Sequence, residues 1–278
     1  MSAYQQAETK TVKVNGLAFA YRELGPRHGV PVIFLHHLTA GLDDWDPSVL
    51  DGVAHSHRVI AFDNRGVGKS EGRTPNEVRA MAHDAEAFID ALGLKQVDLL
   101  GYSLGGFIAQ VIAQERPALV RKIILAGTGP AGGAGIARIG EVLQAAMQRS
   151  AAEKKHPKNF LFFTASDFSQ QSAAAFLSRL GERTDDKDTP VSNETIQAQA
   201  MAITQWGMSP ANDLTAITQP VLVANGDEDT MVPTVNSFEL FQRLPNARLS
   251  IFPDAGHGGI FQYHGEFVRQ AVDFLDAN

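Results

Sequence analysis

The apolar positions of this chain fall into short, nearly continuous runs separated by stretches with helical spacing. "PVIFLH", "RVIAFD", "QVDLLGY", "KIILAG", "PVLVANG" and "ARLSIF" fit strands buried on both faces. Ahead of them, "TVKVNGLAFAYREL" has two β-prone runs joined by Asn15-Gly16, a dipeptide suited to a type I′ turn with φ > 0 at both central residues. An antiparallel hairpin is therefore predicted at the start. From Asn76 to Leu92, Met81, Ala85, Phe88, Ile89 and Leu92 share one helical face, and Gly93 is placed to stop the helix. His83 falls with Arg79, Glu86 and Asp90 on the opposite, solvated face. "LGGFIAQVIAQER" reads as a second helix ended by Pro117, and "HGEFVRQAVDFLDA" as a closing amphipathic helix. Strands alternating with helices predict an α/β fold with a mostly parallel sheet.

The alternation breaks between residues 131 and 211, which are helix-prone and contain no clear buried strand. This stretch reads as a helical cap inserted into a core made of residues 1–130 and 212–278. Its apolar residues ("NFLFF" from Asn159 to Phe163, with Phe168, Phe176, Met201, Trp206 and Met208) fit two roles. They line an apolar pocket, or they form the cap's own core.

A chain of 278 residues suits one large domain, or one domain carrying an insertion. The net charge of −7 gives little attraction to a phosphate backbone, so nucleic acid is not an expected partner. With no cysteine, disulfides, thiolate metal sites and cysteine nucleophiles are excluded. No apolar run approaches the ~20 residues of a membrane helix. The polar start "MSAYQQAETK" shows no signal peptide, so a cytoplasmic protein without a membrane partner is expected. Nothing here fixes the oligomeric state.

Two loops imitate phosphate-binding motifs. "GTGPAGG" spaces Gly127, Gly129 and Gly132 like a dinucleotide fingerprint, but Pro130 removes an N–H from the loop. The first following acid, Glu141, comes too early for the ribose. A flexible hinge into the cap is the better reading. In "DNRGVGKS", Asp63 stands where a P-loop needs its first glycine.

"LLGYSLGG" carries the chemistry. Gly101-Tyr102-Ser103-Leu104-Gly105 is G-x-S-x-G, placed after a buried strand and opening a helix. A serine hydroxyl must be aimed and deprotonated to attack. A sharp strand-to-helix turn aims it, with Gly101 and Gly105 small to avoid collision. Backbone N–H groups at the helix start, that of Leu104 included, point towards the site. The base and its acid are expected downstream in the order Ser, Asp/Glu, His. "ANGDEDTMVP" and "PDAGHGG" follow the last two buried runs and present side chains at the same sheet edge. His257 is the candidate base, with His264 as the alternative. Asp229 is the candidate acid, with Asp227 next and Glu228 and Asp254 behind it.

With these residues in place the chain resembles the α/β-hydrolase superfamily, within its capped, esterase-rich branch. The resemblance runs through the hairpin, "VIFLHH", "FDNRGVGKS", "GYSLGG", "GDEDTMVP" and "AGHGG", nearly the whole chain. It implies a Ser103–Asp229–His257 triad, a sheet of about eight strands flanked by helices, and a cap inserted after the sixth strand. Serine rather than aspartate at the elbow implies an acyl-enzyme route to a small carboxylic ester or lactone, with no cofactor or metal. The rate would fall as His257 takes up a proton. Perhydrolase (haloperoxidase-like) and carbon–carbon bond hydrolase activities stay open, and a non-catalytic ligand receptor stands behind them.

The same resemblance makes "LHHLTAGLDDWD" the oxyanion loop. His36 matches the family histidine, His37 replaces the usual glycine, and Leu38 supplies a backbone N–H to pair with that of Leu104. A Cβ at position 37 limits glycine-like backbone angles and implies a shifted or strained loop. His37, Trp206 and Met231 are the candidate substrate contacts. Asp46-Pro47 reads as an N-cap with proline at the first helical position, and Asp43 and Asp44 as loop carboxylates.

Overall fold

The computed structural model describes residues 2–277. A short helix α1 (Ala3–Gln6) precedes the hairpin of β1 (Lys10–Val14) and β2 (Leu17–Leu24), which pair antiparallel. Asn15 and Gly16 turn it at φ 49° and 87°, as the dipeptide predicted. Then come β3 (Val32–Leu35), α2 (Pro47–Ala54), β4 (Val59–Phe62), α3 (Val78–Ala91), β5 (Val97–Tyr102), α4 (Leu104–Glu115) and β6 (Val120–Ala126). Four helices follow: α5 (Ile139–Glu153), α6 (Lys158–Leu161), α7 (Asp167–Leu180) and α8 (Asn193–Met208). The chain returns to the sheet with β7 (Val221–Gly226), α9 (Val235–Arg243) and β8 (Ala247–Phe252), and ends on α10 (Gly259–Gln262) and α11 (His264–Asp276).

All eight strands form one sheet in the order β1-β2-β4-β3-β5-β6-β7-β8. β2 meets β4 antiparallel, and every pairing from β4 to β8 is parallel. The sheet is mostly parallel, as the continuous apolar runs predicted. β3, β4, β5 and β7 are buried at every position because neighbours and helices cover both faces. "ARLSIF" departs from that expectation. β8 is the last strand of the sheet, and only Phe252 of its six residues is fully buried. Parallel strands bring the loops after β3, β5, β6, β7 and β8 to one edge, where open α/β sheets bind ligands.

Helix starts follow their letters. Asp46 caps α2 by accepting from Ser48 N–H (2.9 Å), with Pro47 in the first turn. Gly93 (φ 72°) ends the helix that carries His83, whose exposed ring pairs with Glu115 at 2.8 Å. The two decoy loops are structural. Ser70 Oγ receives a hydrogen bond from Ala20 N–H and donates to Asp63 O (2.7 Å). The "GTGPAGG" connector is buried over Gly127–Ala131 rather than free to hinge, and Gly129 O accepts from Gln110 Nε2 (3.0 Å).

Between β6 and β7 the apolar residues divide between core and surface. Phe162, Phe163 and Phe176 join the main core, whereas Phe168, Met201 and Met208 are exposed. The segment is bolted to the "LDDWD" stretch by charge. Arg179 grips Asp46 with Nε and Nη2 at 2.8 and 2.6 Å, and Lys158 Nζ meets Asp44 at 2.6 Å. Asp43 pairs with the buried Arg22 at 2.7 Å and receives Asp188 N–H at 2.7 Å. These aspartates are an anchoring strip.

Candidate active site

β5 runs straight into α4, and Ser103 makes the corner at φ 56°, ψ −117°. That conformation is rare for a residue with a Cβ and is held by its surroundings. Ser103 N–H donates to Ala126 O (2.9 Å), and its own carbonyl accepts from Thr128 Oγ1 (2.8 Å). The corner is too tight for side chains on either flank. A Cβ at Gly101 would stand 2.4 Å from Gly105 O, and one at Gly105 would stand 2.0 Å from Leu35 O.

β7 and β8 deliver the acid and the imidazole. Asp229 and His257 are both buried, and His257 Nδ1 lies 2.7 Å from Asp229 Oδ2. The other carboxylate oxygen accepts from Met231 N–H and Val232 N–H at 2.9 and 3.0 Å. Asp229 is thus aimed by backbone, and His257 Nδ1 must carry the proton it shares. His257 Nε2 is buried without a partner among the described residues, and the ring lines a cavity together with Ser103. The runner-up acids are engaged elsewhere. Asp227 is exposed and accepts from Ala255 N–H (3.1 Å), while Asp254 accepts from Thr164 and Ser166 hydroxyls. His264 opens α11, half-buried.

The cavity holds about 30 Å³, enough for a water molecule or two. Leu38, Met231 and His37 line it with Ser103 and His257. Among the described residues neither Leu38 N–H nor Leu104 N–H meets an acceptor. Trp206 is not brought here. It stacks on Phe107 (5.2 Å, 19°) and donates to Gly129 O (3.3 Å), on the far side of the connector.

His37 keeps ordinary backbone angles, and the left-handed residue of the loop is Thr39 (φ 64°). Gln199 of α8, fully buried, takes Thr39 N–H at 2.8 Å and steadies that turn. His37 Nδ1 lies 2.7 Å from Leu38 O, and its ring packs edge-on against Tyr102 and Phe162. Burial, and then the Lys158 cation, hold its pKa well below the usual imidazole value. Burial likewise pushes His36 down to about 4, so both rings are neutral at pH 7.

Thr39, Leu143 and Lys158 line the cavity without any signal in the sequence, whereas Leu161 and Phe162 belong to the "NFLFF" run. Lys158 and Leu161 come from α6, and Phe162 follows it. Phe162 packs against the His257 ring and accepts Gly258 N–H (2.8 Å). No spacing rule links them to Ser103. Only the "NFLFF" run hinted at a role.

A family model described as the alpha/beta hydrolase fold matches residues 30–262. A solved alpha/beta hydrolase fold protein from Chitinophaga pinensis is 43% identical and superposes with a TM-score of 0.95 over 99% of both chains. A 2-hydroxy-6-oxo-6-phenylhexa-2,4-dienoate hydrolase of Burkholderia cepacia is 29% identical over 260 residues, 89% of this chain and 88% of its own. A non-heme chloroperoxidase of Streptomyces lividans is 36% identical over 118 residues, 42% of this chain and 43% of its own.

Proposed function

Because the chain belongs to the alpha/beta hydrolase family, we propose that it is a serine hydrolase cleaving a small carboxylic ester or lactone through an acyl-enzyme. The observation that carries this reading is Ser103, held in a strained corner, sharing one cavity with the free Nε2 of a histidine whose Nδ1 is bonded to Asp229. Ser103 Oγ attacks the carbonyl carbon as His257 Nε2 takes its proton. Asp229 holds the ring and balances the imidazolium. Leu38 and Leu104 N–H groups bind the oxyanion. The intermediate collapses by breaking the C–O bond, and His257 returns the proton to the departing alkoxide. Water, deprotonated by the same ring, then attacks the acyl-enzyme and releases the acid and free Ser103. Residues 131–211 act as a cap on a core of residues 1–130 and 212–278, with Phe162 and Met231 as apolar walls.

A fluorophosphonate probe tests this directly. It should label Ser103 stoichiometrically, and an ester panel should show turnover that S103A abolishes. Folded protein that neither labels nor turns over any ester would refute the assignment. The Burkholderia relative supports a second reading, hydrolysis of a carbon–carbon bond in a dienoate keto acid. Loss of dienoate absorbance without ester turnover would select it.

A further inference from the structure

His37 stands where the family resemblance expects glycine, and its ring is built to present one atom. A carbonyl oxygen only accepts, so the 2.7 Å contact to Leu38 O puts the proton on Nδ1. The ring is neutral, which leaves a bare lone pair on Nε2. That atom is buried and has no partner among the described residues, although the ring lines the cavity beside Ser103. A buried acceptor with nothing to accept is costly to keep unless a ligand completes it.

Lys158 lines the same cavity from α6, with its side chain only 10% exposed. An ammonium carries three N–H donors, and Asp44 Oδ1 is its one oxygen partner among the described residues. The Asp44 carboxylate also cancels the lysine's charge, so the pair offers a donor without net attraction for an anion. An acceptor and a neutralised donor that line one cavity suit a group that both donates and accepts. An alcohol does both. An ether or ketone oxygen only accepts, an ammonium only donates, and a carboxylate would meet Asp44.

We infer that His37 Nε2 and Lys158 Nζ form a hydroxyl-reading subsite, and that the preferred acyl group carries a hydroxyl on the carbon next to the reacting carbonyl. This rests on Ser103 as the nucleophile and Leu38 N–H as an oxyanion donor. His37 is the residue before Leu38, and its ring is folded back onto the Leu38 carbonyl. His37, Leu38, Lys158 and Ser103 line one cavity, so the subsite lies beside the reacting carbonyl. Leu143, Leu161 and Met231 provide apolar wall for the remaining hydrocarbon. In the free enzyme, water in the cavity would stand in for the hydroxyl.

The test compares the p-nitrophenyl esters of 2-hydroxybutanoate and 2-methylbutanoate, which differ by a hydroxyl for a methyl of similar size. Each kcat/KM is normalised to the ester's rate with hydroxide, and active sites are counted by fluorophosphonate labelling. Wild type should prefer the hydroxy ester by about tenfold or more, the scale of one hydrogen bond to an otherwise unpaired buried acceptor. H37F keeps a ring between Tyr102 and Phe162 but removes the acceptor, and should bring the ratio close to one. H37Q places an amide oxygen near the position of Nε2 and should restore much of the preference. K158M should lower the ratio as well. A wild-type ratio near one, or a preference that survives in H37F, overturns the subsite. Should H37F fail to fold, the wild-type ratio and the H37Q and K158M variants still decide. Labelling with no preference removes only this inference. Absence of both labelling and turnover in wild type removes the hydrolase reading beneath it.

Discussion

At Ser103, stability and the proposed chemistry oppose each other. A residue with a Cβ at φ 56°, ψ −117° costs about 1–3 kcal/mol relative to relaxed backbone. S103G should therefore melt above S103A, by roughly 2 °C for a gain of about 1 kcal/mol, with neither variant taking a phosphonate label. Equal melting temperatures would mean that the corner stores no strain. Gly105 sets the opposite limit. Its Cβ would stand 2.0 Å from Leu35 O, a backbone atom that cannot rotate away, so G105A should unfold well below wild type in a thermal melt. For Asp229 the readout is rate. D229N preserves shape but removes the charge that balances the imidazolium, and kcat should fall by about 10³–10⁴-fold in a burst-corrected ester assay. The proposed triad Ser103, Asp229 and His257 was legible as a set of candidates because each follows a strand, and the strands are parallel and end at one sheet edge. Thr39 was not. Nothing in a β-branched residue announces a left-handed turn, and Gln199, which steadies it, lies 160 positions away.

Elements were legible where local periodicity decides them. The hairpin, the central strands and the helices at Val78, Leu104 and His264 follow from spacing and stop residues. β8 was misjudged because an apolar run cannot say whether it has one neighbour or two. Trp206 is not among the residues lining the cavity, and its ring stacks on Phe107, a contact that helical spacing does not announce. Asp46 was legible as a helix cap, but the ion pairs of Asp44 and Asp46 were not, since Lys158 and Arg179 arrive from more than 100 residues downstream. Asp46 is the most committed of the aspartates, with a fully buried carboxylate serving as both helix cap and Arg179 partner. Removing only the arginine strands that charge. R179M should lose about 3 kcal/mol in a denaturant melt. D46S keeps an oxygen for Ser48 N–H and discards the charge, so R179M/D46S should recover most of that loss. Additive single-mutant losses would show that the ion pair is not coupled.

On the scale of the whole molecule, a cavity of about 30 Å³ is far below the roughly 300–1,000 Å³ of a ligand pocket. The seam that joins the α5–α8 segment, which forms one wall of that cavity, to the core is sensitive to pH in both directions. On the acid side, burial pushes Asp44 up, but the Lys158 cation together with the hydrogen bonds from Lys158 and Gly41 N–H brings it down to about 2, below its ordinary 3.8. Its contribution is complete above 3.8 and is lost as the pH falls towards 2. On the alkaline side, burial and then the neighbouring Asp188 carboxylate raise Asp63 well above 3.8. Both side chains accept Leu42 N–H, at 2.9 and 3.0 Å, across the join between core and segment. That contribution is complete below 3.8 and is lost as the pH rises through the raised value, because ionised Asp63 then faces Asp188. Amide protection in α6 and α7 should therefore peak in mild acid and decline on both sides. D188N removes the like charge but keeps an oxygen for Leu42 N–H. Burial still raises Asp63 there, so protection should decline less with rising pH than in wild type while still declining in acid. A D188N protein whose protection falls on the alkaline side as wild type does would show that the segment is held by something other than this pair of carboxyls.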